Sequence, residues 1–163
     1  MRSLIIALYL MCATPLAAQG TVAFFGLYLL DTSLQTQAKG EHDAEDARIA
    51  LLEDMVRERF AAEGYTLLDL APIAADLDRV VNPAKCYGCD VRMAQKLGAD
   101  FVLVGEVQKV SNLILSLNLQ MRAVSDGEMV KGAVVDMRGN TDESWTRAMR
   151  YILKNRFFAR EEK

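Results

Sequence analysis

From Val22 to Leu30 the chain is almost wholly apolar, with no polar alternation, until Asp31, Thr32 and Ser33 end the run. A short continuous apolar run bounded by polar residues reads as a strand covered on both faces. A polar stretch containing Gly40 reads as a loop over 33–43. Ile49, Leu52, Met55, Val56 and Phe60 then recur at three-to-four spacing, which predicts a helix over 44–63 stopped by Gly64. Glu41, Asp43, Glu45 and Asp46 place negative charge near its positive N-terminal end.

Residues 65–70 form a second apolar run between Gly64 and Pro72, a strand, followed by a short acidic helix through Asp76 and Asp78 and the break Asn82-Pro83. Val91, Ala94 and Leu97 give a helix over 89–97, ended by Gly98. The last half of the chain carries the clearest pattern. A strand runs from Phe101 to about Val110, and Ser111-Asn112 is a two-residue turn candidate. Leu113, Leu115, Leu117, Leu119 and Met121 alternate with Ile114, Ser116, Asn118, Gln120 and Arg122, a strand with one dry and one mainly polar face. Asp126-Gly127 is a type I′ hairpin signal, and 129–138 is the return strand. Asn140, with Glu143 three residues on, has the spacing of a capping box for a last helix, whose buried stripe is Trp145, Ala148, Met149, Ile152, Leu153 and Phe157. Arg147, Arg150, Lys154, Arg156 and Arg160 lie outside that stripe or toward its C-terminal end. The predicted order is β-α-β-α-β-β-β-α, an α/β fold with a mixed sheet and helices mainly on one face.

With 163 residues, 52% hydrophobic and 25% charged, the chain has the size and composition of one globular unit, which excludes a disordered chain, a collagen, a coiled coil or a multidomain enzyme. The N-terminus adds a compartment. Arg2, the apolar run Leu4 to Met11 and the small residues of Ala13-Thr14-Pro15-Leu16-Ala17-Ala18-Gln19-Gly20 read as an export signal cut after Ala18, with a cut after Gly20 as the rival. Pro15, Gln19 and Gly20 interrupt the run that a membrane anchor would need, and Leu10-Met11 before Cys12 argue against lipid attachment. The expectation is a leader over 1–18 and a single α/β domain over 19–163, periplasmic, with no stable membrane insertion after cleavage. That cut also removes Cys12 and leaves Cys86 and Cys89, an even number in an oxidising compartment.

A net charge of −3 excludes a general nucleic-acid binder. Its distribution is uneven, with 11 acidic and four basic residues over 41–79 against 10 acidic and 13 basic over 80–163. Such asymmetry suits the steering of a charged partner, although two solvated helix faces of opposite sign would give the same count.

Two stretches carry a resemblance: Leu97-Gly98-Ala99-Asp100-Phe101-Val102-Leu103-Val104-Gly105-Glu106-Val107, and Gln108-Lys109-Val110-Ser111-Asn112 with Asp136-Met137-Arg138-Gly139-Asn140-Thr141-Asp142-Glu143-Ser144-Trp145. With Cys86-Tyr87-Gly88-Cys89 they resemble a family of small secreted proteobacterial proteins catalogued as a domain of unknown function. The first stretch is also similar to the N-terminal domain of the periplasmic TolB family and related assembly-factor domains. That likeness implies an α/β domain that binds other envelope proteins and does no chemistry.

Cys86 and Cys89 precede a predicted helix, whose positive end would favour a thiolate. The pair reads first as a structural disulfide, with a redox-active pair and free thiols or a metal as alternatives. A thioredoxin-type motif should follow a strand, whereas this one follows a loop with Pro83; Asp90 stands where haem attachment needs His. The lone His42 sits between Glu41 and Asp43, more often a solvated loop than a base or ligand. No hydrolase elbow or phosphate loop is present, and no cofactor or metal is expected. The remaining polar cluster, Asp136, Arg138, Asn140, Asp142, Glu143 and Trp145, combines an aromatic, an Arg and hydrogen-bonding groups near a sheet edge. Arg138, Asn140, Asp142, Glu143, Trp145, Gln108 and Asn112 are the partner-binding candidates. The polar faces of the last three strands, with Glu106, Gln108, Asn118, Gln120, Arg122, Asp136 and Arg138, form a second docking candidate, or a solvated sheet face.

Overall fold

A computed structural model describes residues 18–34 and 42–159. Residues 1–17 of the leader expected over 1–18, most of the 33–43 loop and Arg160 lie outside the described residues. Five strands form one sheet in the order β2-β1-β3-β4-β5: β1 Gly20–Asp31, β2 Tyr65–Leu67, β3 Phe101–Ser111, β4 Ile114–Ala123 and β5 Met129–Met137. β1 pairs parallel with β2 and β3, and β3-β4-β5 is an antiparallel meander. The helices are α1 Asp43–Ala62, α2 Ala74–Leu77, α3 Cys89–Lys96 and α4 Asp142–Ile152, which continues as a π-helical turn Leu153–Phe157. This is the mixed α/β order that the hydrophobic pattern predicts. None of the helices is long and apolar enough to cross a membrane among the described residues.

The two long helices share one face of the sheet. Leu52, Val56 and Phe60 of α1 and Trp145, Ala148, Met149 and Ile152 of α4 pack on Leu103, Val107, Leu115, Leu117, Leu119 and Met121. The short helices and turns cover part of the other face, where Ile73, Met93 and Ala94 meet Ala23, Phe25, Val102 and Val104. β1 therefore needs apolar residues on both sides, which is why it shows no alternation.

A bulge between Phe24 and Leu27 shifts the register of β1 against β3. Gly26 occupies it at φ +87°, and a Cβ there would stand 2.7 Å from Glu53 Oε1. That carboxylate accepts the Leu27 N–H at 2.9 Å, so α1 satisfies the backbone donor at the bulge.

Several boundaries differ from the sequence expectation. β2 stops at Leu67 rather than 70, because Asp69 Oδ1 accepts the Ala71 N–H at 3.0 Å and turns the chain into the 3₁₀ turn Ala71–Ile73. The β3–β4 turn is Asn112-Leu113, not Ser111-Asn112: Ser111 pairs with Ile114 and its hydroxyl accepts the N–H groups of Leu113 and Ile114, leaving Leu113 73% exposed. The β4–β5 connection is a five-residue loop, since Gly127 alone in it has positive φ, whereas type I′ would need Asp126 there too. The cap of α4 is Thr141, whose hydroxyl accepts the Ser144 N–H at 3.2 Å; Asn140 is engaged elsewhere. Finally, Glu106 and Gln120 are not on an open polar face. The loop 82–89 covers them, with Asn82 and Lys85 donating to Glu106 and Gln120 donating to the Ala84 carbonyl.

Candidate functional site

Parallel pairing of β1 with β3 sets Asp31 beside Lys109 at one end of the sheet, next to the first turn of α1 and the start of α4. Lys109 Nζ lies 3.0 Å from Asp31 Oδ2 and 2.5 Å from Glu45 Oε1, with all three side chains almost fully buried. Burial opposes the charge on Glu45, but hydrogen bonds from Lys109 and Asn140 outweigh it and hold its carboxyl below the ordinary value of 4.5. Burial likewise opposes the charge on Lys109, and its bonds to Glu45 and Asp31 outweigh it, raising the ammonium above 10.5. His42 is half-buried at the rim, its Nδ1 3.7 Å from Asp31 Oδ2.

Asn140 is the hub. Its Nδ2 donates to Glu45 Oε1 at 2.6 Å and to Asn112 Oδ1 at 3.3 Å, while its Oδ1 accepts from Trp145 Nε1 at 3.1 Å and from Arg48 at 3.2 Å. Its backbone N–H donates to the Asn112 carbonyl. Arg48 also pairs with Asp142 at 2.7 Å, its guanidinium 5.9 Å from the Trp145 ring. The corner thus brings together four of the candidates, Asn112, Asn140, Asp142 and Trp145, and adds Asp31, Glu45, Arg48 and Lys109. Trp145 has no exposed surface and Asn140 is half-buried, whereas Asn112 and Asp142 face solvent. Chemically this is an ionic and hydrogen-bonded lattice that fixes a rim, with the His42 Nδ1 beside it buried and without a hydrogen bond among the described residues.

The other candidates lie elsewhere. Gln108 is on the uncovered sheet face, opposite Ser116, which in turn faces Asp136. On that face Ile114 and Val134 are 61% and 65% exposed. Glu143 is exposed on the outside of α4, 3.6 Å from Arg147. Arg138 is exposed, with no acidic partner within ion-pair distance among the described residues, and lines a groove of about 390 Å³ between β5 and α4 with Val135, Asp136, Met137, Ser144, Arg147, Ala148 and Tyr151.

Cys86 and Cys89 are joined by a disulfide around Tyr87 and Gly88, both at positive φ, with Tyr87 fully exposed. The bridge closes the loop 82–89 onto α3. Beside it lies an open cavity of about 440 Å³ lined by Pro83 to Gly88, the buried Asp90 and Arg122. Among the described residues no three His, Cys, Asp or Glu gather to hold a metal.

Residues 20–157 match the family described as a protein of unknown function (DUF2380). The chain belongs to that family. This agrees with the resemblance read from the two motif stretches, both of which fall within the matched residues. Comparison with curated protein sequences gives no match. Among solved structures, the chain is similar to an LpoB C-terminal domain from Salmonella enterica at 17% identity and TM-score 0.53, covering 74% of this chain and 84% of that one. It is also similar to the lipoprotein GNA1162 from Neisseria meningitidis at 13% identity and TM-score 0.50, covering 75% and 82%. A TolB from Acinetobacter baumannii matches at 9% identity and TM-score 0.43, over 82% of this chain and 27% of that one. The first two likenesses establish a shared α/β fold.

Within the family motif, Asn112 and Asn140 turn out to be direct neighbours although 28 residues apart. Asp31, Glu45, Arg48 and Lys109 escaped sequence reasoning as site residues. Lys109 carried one signal, a cation at a position of β3 whose side chain should face the core.

Proposed function

We propose that this protein is an exported, periplasmic accessory or assembly factor without catalysis of its own, which binds another envelope protein through its uncovered sheet face and the Arg138 end of β5. The observation that carries this reading is the exposure of Ile114 and Val134 on the face that also bears Gln108, Asn118 and Asp136, with Arg138 beside it. Exposed apolar side chains rimmed by polar ones mark interaction surfaces. The export signal supports the compartment, and a protein of like fold that is named a lipoprotein fits an envelope setting.

The test is co-purification from cells expressing the full chain, after crosslinking. Capture of one defined envelope protein should survive Cys86→Ser with Cys89→Ser and fail with Arg138→Ala combined with Val134→Ser. The second reading is thiol–disulfide exchange, favoured by the cavity that Cys86 lines. Capture as a mixed disulfide, abolished by the double Cys substitution, would replace the first reading with the second.

A further inference from the structure

β5 is the long edge of the sheet: it pairs with β4 and, among the described residues, with nothing on its other side, whereas the opposite edge strand β2 has only three residues. An uncovered edge presents backbone donors and acceptors that can pair with a further strand, and folds usually blunt such edges with Lys, Pro or inward charges. Within β5 the charged residues are Lys131 and Asp136: Lys131 is tied down, donating to the Phe157 carbonyl with its ammonium 5.0 Å from the centre of the Phe158 ring, and Asp136 stands near the C-terminal end of the strand, opposite Ser116.

A strand laid beside β5 would send alternate side chains to two different surfaces. One set meets Val134 on the uncovered face; the other drops into the groove over Val135, Met137, Ala148 and Tyr151. Arg138 and Arg147 flank that groove, and Asp136 is the one carboxylate in its lining. Glu143 lies 3.6 Å from Arg147 with both side chains exposed, an ion pair weak enough for a ligand carboxylate to compete for the guanidinium. Over 129–159 the chain has six basic and three acidic residues, although its net charge is −3.

We infer that the β5 edge takes an extended, acidic peptide segment of the partner as a sixth strand, its apolar side chains in the β5–α4 groove and its carboxylates against Arg138 and Arg147. This rests on the proposed function and names the chemistry of its partner. Main-chain hydrogen bonds would supply affinity and the groove and guanidinium groups specificity, as in other strand-addition complexes.

The probe is a short fluorescent peptide alternating valine and glutamate, compared with the same peptide carrying lysine for glutamate, titrated into the purified chain. The glutamate peptide should bind at least about tenfold more tightly, an advantage that falls as salt rises. It should also slow hydrogen exchange at β5 amides. Arg138→Glu with Arg147→Glu, both exposed and outside the core, should reverse the preference; Arg147→Glu alone should reduce it. Equal affinity, no binding of either peptide, or protection confined to another surface would overturn the inference. So would a concentration-dependent dimer in sedimentation that protects β5, since a second copy would then be the occupant. If the crosslinked envelope partner is still captured while neither peptide binds, the proposed function stands and the edge assignment falls; if no partner is captured, both fall.

Discussion

The indole N–H of Trp145 donates to Asn140 Oδ1 at 3.1 Å, which ties the first turn of α4 to the β5–α4 connection. Because the ring has no exposed surface, that donor finds no replacement partner in water. Asn140→Ala should therefore cost about 2 to 4 kcal/mol, since it orphans the indole and also removes bonds to Glu45, Arg48 and Asn112. Urea unfolding followed by Trp145 fluorescence measures it directly, as this is the only Trp in the chain.

Lys109 separates two buried carboxylates. Lys109→Met should destabilise by about 3 to 5 kcal/mol, the usual result of removing one partner from a buried ionic group. Adding Glu45→Gln should restore part of the loss, because one of the stranded charges goes with it. A double-mutant cycle on unfolding free energy reads the coupling.

Glu45 titrates below its unfolded value, so its contribution is complete above that value and is lost as pH falls through its folded pKa. Asp76, held down by Lys96, and Asp100, held down by the Thr21 backbone N–H, act in the same direction. Lys109 titrates above its unfolded value, so its contribution is complete below about 10.5 and is lost as pH rises further. Denaturant midpoints should be flat from about pH 5 to about pH 9 and fall on both sides. Glu45→Gln should lessen the acid decline.

Gly105 of β3 pairs with Leu27 of β1 on one side and Leu119 of β4 on the other. A Cβ there would lie 2.3 Å from Leu27 Cδ2 and 2.8 Å from the Asn118 carbonyl oxygen, and the backbone atom has little room to retreat. Gly105→Ala should cost about 1 to 3 kcal/mol by overpacking, against a change within about 0.5 kcal/mol for an exposed control such as Gln95→Ala. Thermal unfolding of the two variants makes the comparison.

The disulfide closes a loop of only two intervening residues, so chain entropy assigns it about 2 kcal/mol. Cys86→Ser with Cys89→Ser should lower stability by about that amount and speed hydrogen exchange in the 82–89 loop over Glu106. A reduction potential below about −300 mV, read by alkylation in glutathione and dithiothreitol buffers, is the expected outcome for a structural bridge. A value near −120 to −200 mV would support thiol exchange instead.

Element order was legible because each element's hydrophobic pattern states how many of its faces are covered. The unbroken run of β1 announced its layers of cover, and the alternation of Leu115, Leu117, Leu119 and Met121 fixed the dry side of β4. Turn details were less legible, because local side-chain hydrogen bonds decide them. Ser111, Asp69 and Thr141 each captured nearby backbone N–H groups and moved a boundary by a few residues. Half of the corner could be read in the motif around Asn140. The other half could not, since Asp31, Glu45 and Arg48 look like ordinary polar residues at an element end or on a helix.

The sequence by itself determined the α/β order, the placement of the Cys pair before a helix and the family to which the chain belongs, all of which follow from short-range patterns. Only the tertiary structure decided that Lys109 joins Asp31 to Glu45, that the loop 82–89 covers Glu106 and Gln120, and that β5 is left as the long edge. Those depend on parallel strand register and on how the loop folds back over the sheet. Contacts of that kind join residues 21 to 78 positions apart, a separation at which no local periodicity records which partner each side chain will meet.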